Sequence, residues 1–382
     1  MKLDYQLSSP VGLTQVISDW GSAHEHEVGV PVGTAHFAEH MFFKSTLERS
    51  STELKRKICE LGTCNGYTGK SGTAYYISTL LGRLPEATSL LEEMIQRPAL
   101  LAEEIEKERG VILQELVQAE GDPISYFFRT WFADFTGATG HEVLGTRESL
   151  SEINRESLDK WRKTAFSDLL WIVVGEAGEI NWRDKSAVHG GELAISRAYG
   201  EKIVIKHASD QFAVCLVGSP YRVAGETVKD HLVSKVLTSY LGGDMHSVLW
   251  KEIRDGAGMA YSTACANWGL VSDYIPFVYA LCSNENREEC SKKMLTEIDK
   301  ISQGDVDTDV FRVSLGNVKF NMADSFTSPE DIVDTHIFEN WTRGRAVVEP
   351  GEIDVSIEDM IKACQHHFCG HVRYDLIGGS RD

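Results

Sequence analysis

His36 and His40 stand four residues apart in the segment GTAHFAEHMFF, and Glu39 directly precedes the second histidine. No proline or glycine interrupts the run from Ala35 to Lys44, so a helix is expected there. Positions i, i+3 and i+4 share one helix face, so two imidazoles one turn apart can hold a metal ion while the carboxylate points at its open position. The order H-x-x-E-H is the inverted form of the zincin motif, whose glutamate serves as general base toward a water activated by zinc. The plainer reading is a helix that happens to carry two of the chain's 13 histidines.

A catalytic zinc needs three protein ligands and one open position, so a further ligand must come from elsewhere in the fold. The best source is a predicted helix over Ala102–Glu120, whose apolar stripe runs through Ile105, Ile112 and Leu116 with Glu104, Glu108 and Glu115 on its flank. A row of this kind is ordinarily a solvated acidic face. Periodicity supplies the candidates and does not choose among them.

The elements that must position these groups alternate along the chain. Short apolar runs at Thr73–Leu81, Leu169–Gly175, Phe212–Gly218 and Phe277–Cys282 read as strands. Amphipathic stretches at Ser51–Leu61, Leu84–Ile95, Arg155–Thr164 and Val228–Tyr240 read as helices, which makes a mixed α and β protein. Glu176–Gly200, rich in glycine and polar residues near the midpoint of the 382-residue chain, is the candidate linker. With a related order of elements on either side, the expected division is a first domain over 1–185, a linker over 186–200 and a second domain over 201–382.

Composition narrows the class of function. A formal net charge of -19 without any basic run argues against nucleic acid or an anionic membrane as partner. Neutral or basic peptides suit this field better. The first twenty residues have neither the pattern of a secretory signal nor that of an Arg-rich transit peptide, and no apolar run reaches the ~18 residues of a membrane span. Cytoplasm is therefore the expected compartment. The eight cysteines are spread along a large chain and are expected to be mostly reduced and buried.

The stretch GTAHFAEHMFFKST, followed by EKERGVILQE, resembles the pitrilysin or insulinase family of zinc peptidases, which includes mitochondrial processing peptidases and small bacterial relatives. In that family the third ligand is the second glutamate of an E-x6-E helix. The resemblance thus implies Glu115 as the ligand completing His36 and His40 around one Zn2+ per chain, with Glu108 as its supporting acidic residue. LGTCNGYTGKSGTAYYISTLL resembles the family's loop and edge strand, with Asn65 and Thr68 at its Asn-x-x-Thr positions. YLGGDMHSVLWKEIRDGAGMAYS resembles the segment carrying an arginine and a tyrosine seven apart, here Arg254 and Tyr261.

The fold so implied is α+β, with two similar domains, each a mostly antiparallel sheet packed with helices, forming half of a clamshell. The activity implied is that of a zinc-dependent endopeptidase cutting unfolded peptides in an enclosed chamber, with Glu39 as general base. An extended substrate is expected to pair with the edge strand near Thr73–Ser78 and to contact Asn65, while Arg254 and Tyr261 hold its carbonyl. Because one chain carries both groups, a homodimer with composite sites is expected, or a heterodimer with a related chain. The rival within the same fold is a non-catalytic scaffold or partner subunit.

Some features depart from the resemblance or mislead. Fewer residues than usual precede WGSAHE, so the first sheet is expected either to lack an edge strand or to gain one from another chain. CNGYTGKS nearly matches a phosphate-binding loop, but Cys64 replaces its first glycine and a strand, not a helix, is expected to follow. CQHHFCGH fits no standard metal spacing and is expected to join a terminal helix to a strand, and His24 and His26 are expected in a loop.

Overall fold

Val11–Ser18 (β1) places Leu13 and Ile17 on one face and Val16 on the other, so as a strand it needs apolar cover on both sides. It lies inside a sheet of order β2-β3-β1-β4-β5, formed with Gly62–Thr68 (β2), Thr73–Leu80 (β3), Leu170–Val174 (β4) and Ile180–Trp182 (β5), every neighbouring pair antiparallel. The computed structural model describes residues 10–137, 142–175, 180–182, 196–209, 212–222, 228–269, 273–325, 327–333 and 353–378.

One face of this sheet is covered by Thr34–Phe42 (α1), Ser51–Leu61 (α2), Leu84–Gln96 (α3), Ala102–Gly121 (α4) and Arg155–Ala165 (α6), which share a core with Val16, Tyr75 and Ile77. The opposite face, with Leu13, Ile17, Leu170, Ile172 and Val174, is closed by Ile332 and Val333, far along the chain.

A second sheet repeats the plan. Phe212–Val217 (β7) lies between Asp273–Cys282 (β10) and Val372–Gly378 (β11), and Ala260–Gly269 (β9) pairs with β10, all antiparallel. The order β9-β10-β7-β11 therefore reproduces β2-β3-β1-β4 in direction and in chain sequence. Lys202–His207 (β6) adds a parallel strand beside β11, and Tyr221–Arg222 (β8) pairs with the start of β10. Val228–Gly242 (α7), Arg287–Ser302 (α8), Thr308–Asp324 (α9) and Ile357–His367 (α10) form a core with Val214, Leu216 and Val278 on one face. The other face is covered by Phe127, Trp131, Phe132 and Phe135 of Pro123–Thr136 (α5), packed on Cys215, Val217, Phe277 and Tyr374.

The chain thus divides into two compact units that are not contiguous in sequence, unlike the midpoint division expected. The first comprises Met1–Glu120, Gly137–Gly191 and Phe326–Thr342, the second Gly121–Thr136, Glu192–Ser325 and Arg343–Asp382. The reason is the double-faced burial of each sheet: α5 carries an aromatic stripe that closes the second sheet, and the segment with Ile332 and Val333 closes the first. The chain leaves α4 at Asp122, whose Oδ2 accepts the Ser125 N–H at 2.7 Å, with Pro123 opening the next helix.

Expected strands and helices appear with ends shifted by few residues, and most of the candidate linker lies outside the described residues. The edge of the first sheet needs correction. Thr73–Leu80 is bonded on both sides, by β1 and by β2, so it has no free edge. Among the described residues the edge is Gly62–Thr68, with Thr63, Asn65 and Tyr67 exposed on one face and Cys64 and Thr68 half-buried on the other. This also removes the phosphate-loop reading, because Gly69-Lys70-Ser71 lies in the β2–β3 hairpin rather than at a helix N-terminus. No described helix is long and apolar enough to cross a membrane. All eight cysteines are free, with Cys215, Cys265, Cys290 and Cys364 buried and Cys59 and Cys369 exposed.

Candidate metal centre

Helix α1 buries Ala35, Phe37, Ala38, Met41 and Phe42, which fixes its roll and turns His36, Glu39 and His40 to the remaining side. Its N-terminus is pinned by Glu25, whose two carboxylate oxygens accept the Gly33 N–H at 2.9 Å and the Ala35 N–H at 2.7 Å. Burial pushes the Glu25 carboxyl up to about 8, against the pull of those N–H donors and of Lys70. Gly33 has φ 90°, and a Cβ there would approach the Gly145 Cα to 2.9 Å, so glycine is needed for both reasons.

Helix α4 brings the acidic partners. Its three candidate glutamates have separate fates. Glu104 accepts from Ser45 Oγ at 2.6 Å and is spent on anchoring the chain after α1. Glu108, buried, accepts from His40 Nδ1 at 2.8 Å through one oxygen and pairs with Lys44 Nζ at 2.5 Å through the other. Glu115 Oε2 lies 3.8 Å from His36 Nε2 and 3.6 Å from His40 Nε2.

His36, His40 and Glu115 each offer one ligand atom, and these atoms all lie within 4.8 Å of one another. Four ligands tetrahedrally placed at zinc distances stand about 3.3 Å apart, so only small movements separate this arrangement from a metal site. Two imidazoles and a carboxylate are a donor set suited to zinc. Because the carboxylate of Glu108 accepts from His40 Nδ1, the lone pair of that imidazole is left on Nε2, facing Glu115. Burial, helped by neighbouring His40, lowers the His36 pKa to about 4, so His36 is neutral and ligand-competent near neutral pH. Burial also pulls His40 down, but the Glu108 hydrogen bond and the charges of Glu115, Glu108 and Glu39 outweigh it and raise its pKa. Glu108 itself is lowered, its burial outweighed by His40 and Lys44.

Glu39 sits beside His40 and accepts from Thr68 Oγ1 at 2.6 Å. Burial raises its pKa, partly offset by the Thr68 bond and by His40. A raised carboxyl is suited to taking and returning a proton. Asn65 is exposed on edge strand β2, its Oδ1 accepting from the Gly66 N–H at 3.0 Å.

In the second unit, Arg254 and Tyr261 come together. The Arg254 guanidinium lies 3.9 Å from the Trp250 ring centroid and 5.5 Å from that of Tyr261, and Tyr261 is 80% exposed. Trp250–Asp255 is a π-helical turn, a backbone irregularity common at functional sites.

Sequence reasoning missed Lys44 and Trp250, and it placed Thr68 at a motif position without giving it a role. Lys44 follows His40 by four residues, and that spacing on one helix face was the available signal. Trp250 stands four before Arg254. Among the described residues the only metal-binding cluster of three is His36, His40 and Glu115. CQHHFCGH forms the end of α10 and the approach to β11. His24 and His26, expected in a loop, lie in short helical turns, where buried His24 accepts the Gly21 N–H through Nδ1 at 3.0 Å.

Residues 7–136 match the family described as Insulinase (Peptidase family M16), and residues 152–313 match the description Peptidase M16 inactive domain. The chain is similar to an uncharacterized zinc protease of Mycobacterium tuberculosis, 27% identical over 72% of this chain and 69% of that protein. It is 28% identical to one of Bacillus subtilis over 67% of this chain and 65% of that protein. Mitochondrial-processing peptidase subunit beta of Bos taurus is 36% identical over 65% of this chain and 49% of that protein. Among solved structures, a protease from Helicobacter pylori shares the fold with a TM-score of 0.82, at 18% identity over 97% of this chain and 95% of that one. A structure from Pseudomonas fluorescens, titled a peptidase M16 inactive domain, also reaches 0.82, at 14% identity over 98% and 94%.

Proposed function

Given that the chain belongs to the pitrilysin/insulinase family of peptidases, we propose that it is a zinc-dependent endopeptidase acting on unfolded peptides in an enclosed chamber. The observation that carries this reading is the convergence of His36, His40 and Glu115 with Glu39 alongside. The match of residues 152–313 to a family described as an inactive domain suits this reading, because those residues contain no H-x-x-E-H.

His36, His40 and Glu115 would hold the zinc, which supplies a Lewis acid that polarises the scissile carbonyl and acidifies water. Glu39 takes a proton from the attacking water and returns it to the departing amine. Glu108, clamped by Lys44, holds the His40 ring in the tautomer and orientation that coordination requires. The free edge of β2 accepts an extended peptide as an added strand, with Asn65 exposed along it. Arg254 donates to the substrate carbonyl and Tyr261 stabilises the negative charge that develops there. Metal analysis together with Glu39→Gln tests the reading: about one zinc per chain and loss of hydrolysis are expected.

Because the resemblance makes this chain half of a clamshell and the chain carries both groups of residues, the working enzyme is a homodimer whose two sites each take the metal from one chain and the Arg-Tyr pair from the other. Mixing a Glu39→Gln chain with an Arg254→Ala chain checks this. Mixed dimers then keep one intact site and hydrolyse peptide. Mixed dimers as inactive as both parents would exclude sharing.

A further inference from the structure

Thr68 Oγ1 is the one side-chain hydrogen-bond donor to Glu39 among the described residues. The donor is held by more than its own rotamer. Thr68 ends strand β2, paired with Thr73 of β3, and the hairpin that follows is closed by Gly69 N–H to Gly72 O at 2.8 Å. The hairpin is also tied to the segment before α1, Ser22 N–H to Gly69 O at 3.1 Å and Ala23 N–H to Lys70 O at 2.9 Å. Gly21 lets the two backbones touch, because a Cβ there would meet Gly69 O at 2.4 Å. A β-branched side chain on so fixed a backbone has little freedom about χ1, so the hydroxyl is aimed in advance.

A carboxylate has two oxygens, and a general base needs one of them turned to the water at a reproducible place. The Thr68 bond to Oε2 fixes the plane of the carboxylate and leaves Oε1 as the oxygen that accepts from no described side chain. Without the bond, Glu39 would lose its described hydrogen-bond donor and keep the attraction of His40 and the repulsion of Glu115.

We propose that Thr68 is the positioning residue of the general base: it fixes the Glu39 carboxylate with Oε1 as the proton acceptor, and it does so from the strand on which the peptide lies. This rests on Glu39 being the base. Seating of the substrate on β2 and orientation of the base are then properties of one rigid hairpin, so the scissile bond and the acceptor oxygen are referenced to the same backbone.

The test compares Thr68→Val, which keeps the shape and removes the hydroxyl, with Thr68→Ser, which keeps the hydroxyl. An internally quenched, unstructured basic oligopeptide serves as probe. Zinc content is measured for each chain, and the Kd of the peptide is measured on metal-free protein. For Thr68→Val the expected result is a kcat lower by about 10- to 100-fold. KM, zinc content and the metal-free peptide Kd stay within about twofold, and Thr68→Ser recovers most of kcat. An unchanged kcat in Thr68→Val would overturn the proposal. So would a raised KM and peptide Kd at constant kcat, which would assign the hydroxyl to substrate, or a Thr68→Ser chain as slow as Thr68→Val, which would assign the effect to the methyl group. Glu39→Gln separates the two levels: if it hydrolyses as fast as the unaltered chain, the base assignment fails and this proposal with it. If it is inactive while Thr68→Val is not, only the proposal fails.

Discussion

Beside the edge strand of the first unit, His40, Glu108 and Lys44 form a chain of charged hydrogen bonds next to neutral His36. Beside the matching edge strand of the second, Trp250, Arg254 and Tyr261 form a stack whose outer ring is largely exposed. The two sheets share strand order and direction, so the backbone plan does not decide which unit could hold a metal. Side chains do. A histidine pair on a nine-residue helix, faced by a 20-residue acidic helix, makes a ligand set in one unit. In the other, a π-helical turn presents a cation against two aromatic rings, and no cluster of three metal-ligating groups forms there among the described residues.

The strongest way to break this contrast is to remove a ligand. Glu115→Gln should lower zinc affinity enough that the purified chain holds far less than one zinc, with hydrolysis falling by about a thousandfold or more. A variant that keeps its zinc would take Glu115 out of the ligand set.

Arg254→Ala should do the opposite, leaving zinc content unchanged while kcat/KM falls by about 100-fold, the scale of one lost oxyanion donor. Loss of zinc in that variant would erase the division of labour between the units.

Glu108→Gln probes the support of the site and its pH dependence. Zinc must displace the proton from His40 Nε2, so affinity falls as pH drops below the His40 pKa, which Glu108 and Glu115 hold above the ordinary imidazole range. Removing the Glu108 charge lowers that pKa, so proton competition should begin at a lower pH. On the alkaline plateau, affinity should still be weaker by about 10- to 100-fold because the ring loses its orienting partner. Zinc titrations across pH read both effects. Trp250→Ala should be milder, raising KM or lowering kcat by about three- to tenfold through loss of the ring under Arg254. An effect as large as that of Arg254→Ala would give Trp250 a role of its own.

Much of the metal centre was legible because helices declare themselves by period. The uninterrupted run after Gly33 placed His36, Glu39 and His40 on one helix, and the apolar stripe of α4 set its glutamates along one flank. What periodicity could not do was rank Glu104, Glu108 and Glu115, since their difference lies in what each meets: Ser45, the His40–Lys44 pair, and the two Nε2 atoms. Family resemblance supplied that choice.

The strand Gly62–Thr68 was not legible. GTCNGYT has two glycines and no apolar alternation, and it becomes a strand because β3 offers it a hydrogen-bonding partner, a tertiary effect that overrides local preference. The resemblance drew the edge assignment to the apolar run Thr73–Leu80, which is buried along nearly its whole length and bonded on both sides. The segments that cross between the units were hidden for a similar reason. Nothing in PISYFFRTWFADFT says which sheet its aromatic stripe will cover.

The central claim is that one ordered metal site with Glu39 as its base does the chemistry. Zinc content and peptide hydrolysis of the unaltered chain and of Glu39→Gln, measured side by side, test it most directly. About one zinc per chain is expected in both proteins, with hydrolysis in the unaltered chain alone. Zinc-free protein, or a Glu39→Gln chain that hydrolyses peptide at an undiminished rate, would contradict it.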